Sequence, residues 1–183
     1  SVDLRGKRVG IIGTGSTACQ IVGAITPQVA EMHVFQRTPH WLSPLPQIAY
    51  SARWNRFLTR FPFMQRLIYH YYCQLMVRTF SAATIGNKLM QRWMSQICHK
   101  HLADQVPDPD LRARLTPDYQ ATCKRMIFCS DYYPAISSPN AHLITEGITQ
   151  IEPAGVRTAD GVLHGLDVLV LATGFNSTAF ILP

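Results

Sequence analysis

Short apolar runs and one helical repeat alternate at the start of the chain. Residues Arg8 to Ile12 form an apolar run rich in β-branched side chains, which predicts a strand. From Ser16 to Ile25 the apolar side chains recur at helical spacing, and Glu31 to Phe35 predicts a second strand. A strand, a helix and a strand within roughly thirty residues predict a βαβ unit, whose two strands are parallel.

The middle of the chain follows a helical period. Apolar and aromatic residues recur there at steps of three and four, which places them on one side of a helix. Such a stripe predicts a side that packs into a core; the alternative is a surface that lines a substrate pocket or touches a membrane. Leu89, Trp93, Met94 and Ile97 repeat the pattern. The main stripe comprises Met64, Leu67, Ile68, Tyr71, Tyr72, Leu75 and Met76.

The last third of the chain returns to short strands, which are separated by proline, glycine, serine and asparagine. Residues 167–172 form a nearly continuous apolar run, which predicts a strand covered on both faces. Shorter predicted strands precede it at residues 126–129, 142–145, 147–151 and 155–158.

Strand-rich regions on either side of a helical stretch predict one α/β fold with an insertion. We expect residues 1–46 and 121–183 to form a Rossmann-like domain around a parallel sheet core, and residues 47–120 to form a mostly helical insertion. A chain of 183 residues with 47% hydrophobic residues can build such a core without disulfides or a structural metal. The same composition excludes a collagen-like or disordered chain.

The net charge and the cysteines indicate the kind of ligand and the redox environment, but they do not identify the function. A formal net charge of +6 suits ligands that carry phosphate, and nucleic acid as well. The five cysteines are odd in number and contain no C-x-x-C pair, so we expect a reducing, cytoplasmic environment. The sequence contains no apolar stretch as long as a membrane span and no recognisable signal peptide. Because the first residue is not Met, we expect a piece of a longer polypeptide or a processed start.

The turn between the first strand and the first helix carries the pattern G-x-G-x-x-A. Between a strand and a helix, this pattern is typical of dinucleotide-binding folds. The first glycine permits the tight turn, the second lets a pyrophosphate approach the backbone, and the alanine lets the helix pack close to the sheet. Free N–H groups at the start of the helix then face the anion. The candidate residues are Gly13, Thr14, Gly15, Ser16, Thr17 and Ala18.

The end of the second strand indicates which dinucleotide binds. Folds that select NAD place an acidic residue there, whereas this sequence has Gln36, Arg37 and Thr38. An arginine offers a charged fork to a 2′-phosphate, a charge-assisted contact worth roughly 1.5–3 kcal/mol. The sequence therefore predicts that NADPH is preferred to NADH. A single glycine-rich turn also predicts a single dinucleotide, so a second cofactor would need residues outside this chain.

Four segments together resemble the FAD-containing, NADPH-dependent Baeyer–Villiger monooxygenases. They are Gly13 to Ala18, Val34 to Pro39, Cys123 to Arg125 and Leu171 to Phe175, and their order and spacing agree along most of the chain. The resemblance is to the NADPH-binding domain of that family with its helical insertion. The family's first glycine-rich turn, which holds FAD, and its F-x-G-x-x-x-H-x-x-x-W/D fingerprint lie upstream and are absent from this sequence.

The resemblance implies roles for individual residues. By position, Arg37 and Lys124 would hold the 2′-phosphate, with Thr38 close by. Arg125 would be the active-site arginine, which reaches toward the flavin and stabilises the peroxyflavin anion formed from reduced flavin and O2. An arginine suits that role because its charge is not lost by deprotonation. The parent protein would then be an NADPH-dependent flavin monooxygenase that oxygenates a ketone or a heteroatom.

The resemblance also covers the end of the last apolar strand. Ala172, Thr173 and Gly174 would lie close to the cofactor, where the chain returns from the NADPH domain to the FAD domain. One segment departs from the family's pattern, because relatives commonly have a proline and a glycine in the run before Lys124, where this chain has Gln120 to Cys123. This departure allows a different placement of the loop that carries the Lys-Arg pair.

Two other functions remain open from the sequence alone. A flavoprotein N-hydroxylase or heteroatom oxygenase shares the glycine-rich turns but lacks the pairing of Lys124 with Arg125. A non-catalytic redox sensor that binds NADP(H) would signal to a partner through the helical insertion. No metal site is predicted, because the histidines and cysteines lack the spacing of zinc ligands. We expect a small-molecule substrate, O2 and the FAD-binding domain of the same parent chain as partners, no nucleic acid, and no turnover by this chain alone.

Overall fold

The structure is a computed structural model that describes residues 2–44 and 49–174 of the chain. The strands are, in chain order, β1 (Arg8–Ile12), β2 (Glu31–Phe35), β3 (Leu42–Ser43), β4 (Ile127–Phe128), β5 (Ala141–Ile144), β6 (Ile148–Glu152), β7 (Gly155–Thr158), β8 (Leu163–Gly165) and β9 (Val168–Leu171). The helices are α1 (Ser16–Ile25), α2 (Ala52–Arg60), α3 (Pro62–Met76), α4 (Ala82–Thr84), α5 (Lys88–Gln105), α6 (Pro109–Leu115) and α7 (Tyr132–Ile136). A π-helical turn, Val77–Ser81, joins α3 to α4.

A parallel four-stranded sheet in the order β5-β2-β1-β9 organises the fold. β1 lies in the middle and pairs with β2 on one side and β9 on the other. α1 makes the crossover between β1 and β2, as expected for a βαβ unit. The predicted α/β fold with a parallel sheet core is therefore confirmed, and all parallel strands end at the same edge of the sheet.

Each face of this sheet is covered by a different layer. On one face the fully buried Val9 and Ile11 of β1 belong to one core cluster with Val22 of α1 and Tyr133 of α7. On the other face Phe35 of β2 belongs to a second cluster, which also contains Ile144, Val156 and Leu166. β6, β7 and β8 form a separate antiparallel sheet in that layer. Alternate side chains of β1 and β2 thus pack into two different core clusters, one on each face of the sheet.

The helical region packs on the rest of the fold through a third cluster. Trp41 precedes β3 and is buried with Met94 and Cys98 of α5 and with Ala121 and Met126. β3 pairs in parallel with β4, so the chain before the helices and the chain after them form a short two-stranded ribbon. The predicted packing of the α5 stripe is correct at Met94, while Leu89 and Trp93 of the same stripe are exposed.

The predicted packing of the main stripe is wrong for the residues that the structure describes. α3 forms as a helix, yet it contains no buried residue, and Leu67 and Tyr71 are 60% and 64% exposed. Periodicity placed these side chains on one side of the helix, but it carried no information on whether another element covers that side. None of the described helices is both long and apolar enough to cross a membrane.

The prediction that residues 167–172 are covered on both faces is also wrong in part. The run forms β9, but its residues are only partly buried and Leu171 is 66% exposed. β9 lies at an edge of the sheet, where it pairs with β1 alone among the described strands. The continuous apolar run therefore predicted the strand correctly, but it did not predict that the strand lies at an edge of the sheet and is only partly buried.

Candidate functional site

The glycine-rich turn lies at the edge of the sheet where the parallel strands end. Gly13 has φ of +119°, a conformation that side chains with a Cβ rarely adopt. A Cβ on this residue would collide with the carbonyl oxygen of Ala172, which follows β9. The Gly13 N–H donates to the Phe35 carbonyl at 3.3 Å, so the turn is also tied to the end of β2. Three neighbouring strands therefore converge on this glycine.

The start of α1 is open, as an anion site requires. Gly15 is the N-cap, and it has no side chain to accept a hydrogen bond from the first turn. A Cβ built on Gly15 would meet no atom within 4 Å, so the space in front of it is free. Ser16 and Thr17 are exposed, whereas Ala18 is fully buried against the sheet. The N–H groups of the first turn have no partner within the helix and carry the positive end of its dipole.

Arg37 and Thr38 are held beside this turn. The Thr14 hydroxyl donates to the Thr38 carbonyl at 2.8 Å, which joins the glycine-rich turn to the segment after β2. Gln36 is buried, and its side-chain amide donates to the Arg114 carbonyl at 2.8 Å. Arg37 itself is exposed. Gln36 and Thr38, its neighbours in the sequence, are both held by hydrogen bonds. The Arg37 side chain between them is exposed to solvent beside the glycine-rich turn.

Lys124 reaches the same region from a different part of the chain. Its ammonium lies 4.2 Å from the centre of the Tyr119 ring, a cation–π contact. The Tyr119 hydroxyl in turn lies 3.1 Å from Nδ1 of His40, two residues after Thr38. Burial lowers the pKa of His40, and the positive charge of Lys124 lowers it further. The structure thus brings Lys124 to the segment that carries the arginine, 87 positions away in the sequence.

The ribbon of β3 and β4 fixes the loop that carries Lys124. The indole N–H of Trp41 donates to the Tyr119 carbonyl at 2.6 Å. Ile127 N–H donates to the Trp41 carbonyl at 3.1 Å, so the loop is attached to the same tryptophan at both ends. Thr122 adopts φ of +76°, which costs free energy for a β-branched residue. The backbone is therefore held in an unfavourable conformation at Thr122, two residues before Lys124.

Arg125 is exposed, and none of the ion pairs between described residues includes it, Arg37 or Lys124. Three cations thus stand without a carboxylate partner within the part of the chain that the structure describes. The structure brings Lys124 and Arg37 to one region, but it places Arg125 against no described residue of the turn. Its predicted role stays a prediction.

The segment after β9 completes the edge of the site. The Ala172 N–H donates to the Ile12 carbonyl at 2.9 Å, which continues the β1–β9 pairing up to the glycine-rich turn. Thr173 and Gly174 are exposed, and Gly174 has φ of +93°. Of these residues, the structure places only Ala172 in direct proximity to Gly13. Phe175, which belongs to the segment named in the resemblance, lies outside the described residues.

Within the described part of the chain, the buried Cys19 and Cys98 and the cavity before β1 form no reactive centre. Burial raises the pKa of Cys19 and of Cys98 to about 12, so neither is a thiolate at neutral pH. A shallow cavity of about 410 Å³ is lined by Val2, Asp3, Leu4, Arg5, Ile25 and Gln28. It lies before β1 and after α1, at the sheet end opposite the glycine-rich turn.

Four residues of the site were not predicted from the sequence: His40, Trp41, Tyr119 and Thr122. None belongs to a dinucleotide motif, and their contacts join segments about 80 positions apart. Trp41 and Tyr119 each carried a signal, because a tryptophan and a tyrosine in polar, proline-rich segments need partners for their N–H and O–H groups. The sequence did not show that the Trp41 N–H would bond to the Tyr119 carbonyl, or the Tyr119 hydroxyl to His40 and the Pro39 carbonyl.

Comparisons with known proteins find several similar proteins. A "Baeyer-Villiger monooxygenase" of Pseudomonas aeruginosa is 39% identical over 178 residues, which are 96% of this chain and 33% of that protein. The structure of a cyclohexanone monooxygenase from Rhodococcus bound to NADP+ matches with a TM-score of 0.77 and 26% identity, over 95% of this chain and 39% of that one. The structure of OTEMO with FAD and NADP matches with a TM-score of 0.76 and 26% identity, covering 95% and 39%. No protein-family model matches.

The alignments extend along nearly all of this chain but not along the relatives. The chain spans about a third of the length of the curated relatives it matches. The segment shared with the solved structures includes the glycine-rich turn, the helical region and the return to the sheet, because at least 95% of the chain is covered.

Proposed function

We propose that this chain is a region of a Baeyer–Villiger monooxygenase, whose relatives it matches over about a third of their length, and that it binds NADPH for such a flavoenzyme. The observation that carries the proposal is the open N-terminus of α1 at Gly15, whose turn is bonded through Thr14 to the segment of Arg37, an exposed cation that pairs with no described carboxylate. A pyrophosphate fits this place, because backbone N–H groups and the helix dipole favour an anion there.

The fit of NADPH rests on the residues around the turn. Gly15 leaves the space that the pyrophosphate would occupy, and Thr14 fixes the adjoining segment through its bond to Thr38. Arg37 and Lys124 would hold the 2′-phosphate of the adenosine ribose from two sides. The contact of Lys124 with Tyr119 places this charge near the segment after β2. Ala172 would close the floor of the site, with Thr173 and Gly174 at its rim.

The same arrangement supports the domain boundaries that we propose. Residues 1–46 and 121–183 would form the NADPH-binding domain, because the described parts of both ranges contribute strands to one parallel sheet. Residues 47–120 would form the helical insertion. FAD would be held mainly by residues outside this chain, since the chain carries one glycine-rich turn and the proposal assigns it to NADPH.

The activity proposed for the complete protein is flavin-dependent oxygenation of a ketone or heteroatom by O2. Bound FAD would supply the chemistry by accepting hydride from NADPH and reacting with O2. Within this chain, Arg125 would contribute a positive charge near the reacting atoms. Because Arg125 and Lys124 are adjacent, one loop would orient both the coenzyme and the reaction centre. The strained Thr122 beside them is consistent with a functional loop.

Substitution of Gly15 tests the binding site without disturbing the fold. We expect Gly15→Ala to remain folded, because the added Cβ meets no atom within 4 Å. The same Cβ would occupy the space of the pyrophosphate, so affinity for NADPH should fall roughly tenfold or more, equivalent to about 1.4 kcal/mol. NADH should lose affinity by a similar factor, because both coenzymes contain the pyrophosphate.

Gly147→Ala is the matched control, because Gly147 also has free space around its Cβ position and follows β5, two strands from β1 in the sheet. Coenzyme fluorescence titration measures the affinities, and circular dichroism checks the fold. A folded Gly15→Ala protein that binds NADPH as tightly as the Gly147→Ala protein would refute the proposed site.

A further inference from the structure

A cluster of metal-ligand side chains lies in the layer opposite α1, away from the glycine-rich turn. Glu31 and His33 are two positions apart on β2 and therefore point to the same face of the sheet. His142 of β5 is directly opposite His33 in the parallel register. One donor atom from each of the three residues lies within 4.8 Å of the others. We propose that Glu31, His33 and His142 bind a transition-metal ion of the Zn2+ class.

The donor set and its spacing suit such an ion. Two imidazoles and one carboxylate form a common protein environment for Zn2+, which takes nitrogen ligands at about 2.0–2.1 Å. Two ligands of a tetrahedral ion at these lengths are about 3.3 Å apart. His33 Nε2 and Glu31 Oε2 are 3.0 Å apart, close to that spacing. His142 is exposed and its ring lies 5.1 Å from that of His33, so rotation of its side chain can bring its nitrogen into range.

The burial of His33 supports a metal-binding site rather than a chance cluster of exposed side chains. The residue is only 8% exposed, and its Nδ1 is a buried atom with no partner among the described residues. Nε2, the nitrogen beside Glu31, would be the ligand atom, and burial of the ring holds this nitrogen in place. Glu31 and His142 are accessible and provide an entry path for an ion. A metal here would crosslink β2 to the edge strand β5.

The surroundings tolerate a cation. Arg8 lies opposite Glu31 in the register of β1 and β2, and it is already paired with Asp167 at 2.9 Å through Nη2 and Oδ1. The ring of His164 of β8 lies 5.9 Å from that of His33, and its Nε2 is 3.1 Å from the Thr158 hydroxyl. It would stay outside the three-ligand set. The fourth coordination position would face solvent and take a water molecule.

The sequence could not have shown this cluster, because its ligands come from strands more than a hundred positions apart. Glu31 and His33 alone form an E-x-H pair, and this spacing by itself does not indicate a zinc site. The pairing of β2 with β5 in one register supplies the third ligand.

Zinc titration of the purified full chain, after treatment with a chelator, tests the proposal. Calorimetry should give one Zn2+ per chain, and Co2+ should give the visible absorption of a tetrahedral site. Zn2+ at one hundred times its dissociation constant should raise the melting temperature by roughly 5–10 °C. His142→Gln and Glu31→Gln should each weaken Zn2+ binding at least about tenfold. Both positions are accessible, so neither variant depends on repacking the core.

His70→Gln is the matched control, because His70 is an exposed histidine on α3, outside the cluster. It should bind Zn2+ like the unchanged protein. Absence of one-to-one binding, or equal binding by the His142→Gln protein, would overturn the proposal. NADPH binding is measured in the same preparations and should not change with zinc, so this result is separate from the proposed function.

Discussion

The Arg37→Ala protein should bind NADPH roughly 10- to 100-fold more weakly than the unchanged protein, while its affinity for NADH stays nearly the same. The reason is the loss of a charge-assisted contact worth roughly 1.5–3 kcal/mol to the 2′-phosphate, which NADH lacks. Arg37 is exposed and makes no ion pair with a described carboxylate, so the substitution removes little else from the fold. Fluorescence titration with both coenzymes measures the ratio of affinities.

Two further variants make this result specific. Lys124→Ala should also reduce the preference for NADPH, because Tyr119 holds this ammonium near the segment after β2. Arg5→Ala lowers the net charge by the same amount at the opposite end of β1 and should leave the preference unchanged. Equal losses for NADPH and NADH in the Arg37→Ala protein would contradict the assignment of the 2′-phosphate contact.

In the complete flavoenzyme, Arg125→Ala should leave reduction of the flavin by NADPH largely intact and reduce formation of oxygenated product by roughly 100- to 1,000-fold. The expected magnitude is that of removing one fixed group that stabilises negative charge at a reacting atom. Arg125 is exposed and pairs with no carboxylate among the described residues, so removing its side chain should cost the fold little. Stopped-flow absorbance follows flavin reduction, and product analysis follows oxygenation.

Arg92→Ala removes an exposed arginine of α5 and serves as the control, with both steps expected at the level of the unchanged enzyme. A normal product yield from the Arg125→Ala enzyme would remove the proposed role. Loss of both steps together would also contradict it, because the charge would then act in coenzyme binding rather than in oxygenation.

The residues that could be predicted from the sequence act through local geometry. Gly13 needs a positive φ and Ala18 needs to be small, and both requirements follow from the sequence between β1 and α1. The strands of the parallel sheet could be recognised because short apolar runs rich in β-branched residues favour strands over helices. Their order β5-β2-β1-β9 then follows the usual arrangement of such folds.

The features that could not be predicted depend on contacts between distant segments. The position of Lys124 follows from its contact with Tyr119, and the bond from Trp41 to the Tyr119 carbonyl fixes that loop. A lysine in a sequence gives no sign of which ring it will cover. The exposure of α3 is a second case, because Leu67 and Tyr71 share a helix face whose covering no local pattern can report.

The account depends most on the claim that the turn from Gly13 to Ala18 binds a dinucleotide and that its neighbours select the 2′-phosphate. Isothermal titration calorimetry of the unchanged protein with NADPH and with NADH measures both parts at once. We predict one binding site for NADPH and an affinity for NADH that is roughly 10- to 100-fold weaker. The absence of binding heat with either coenzyme at more than one temperature, or equal affinity for both, would contradict the account.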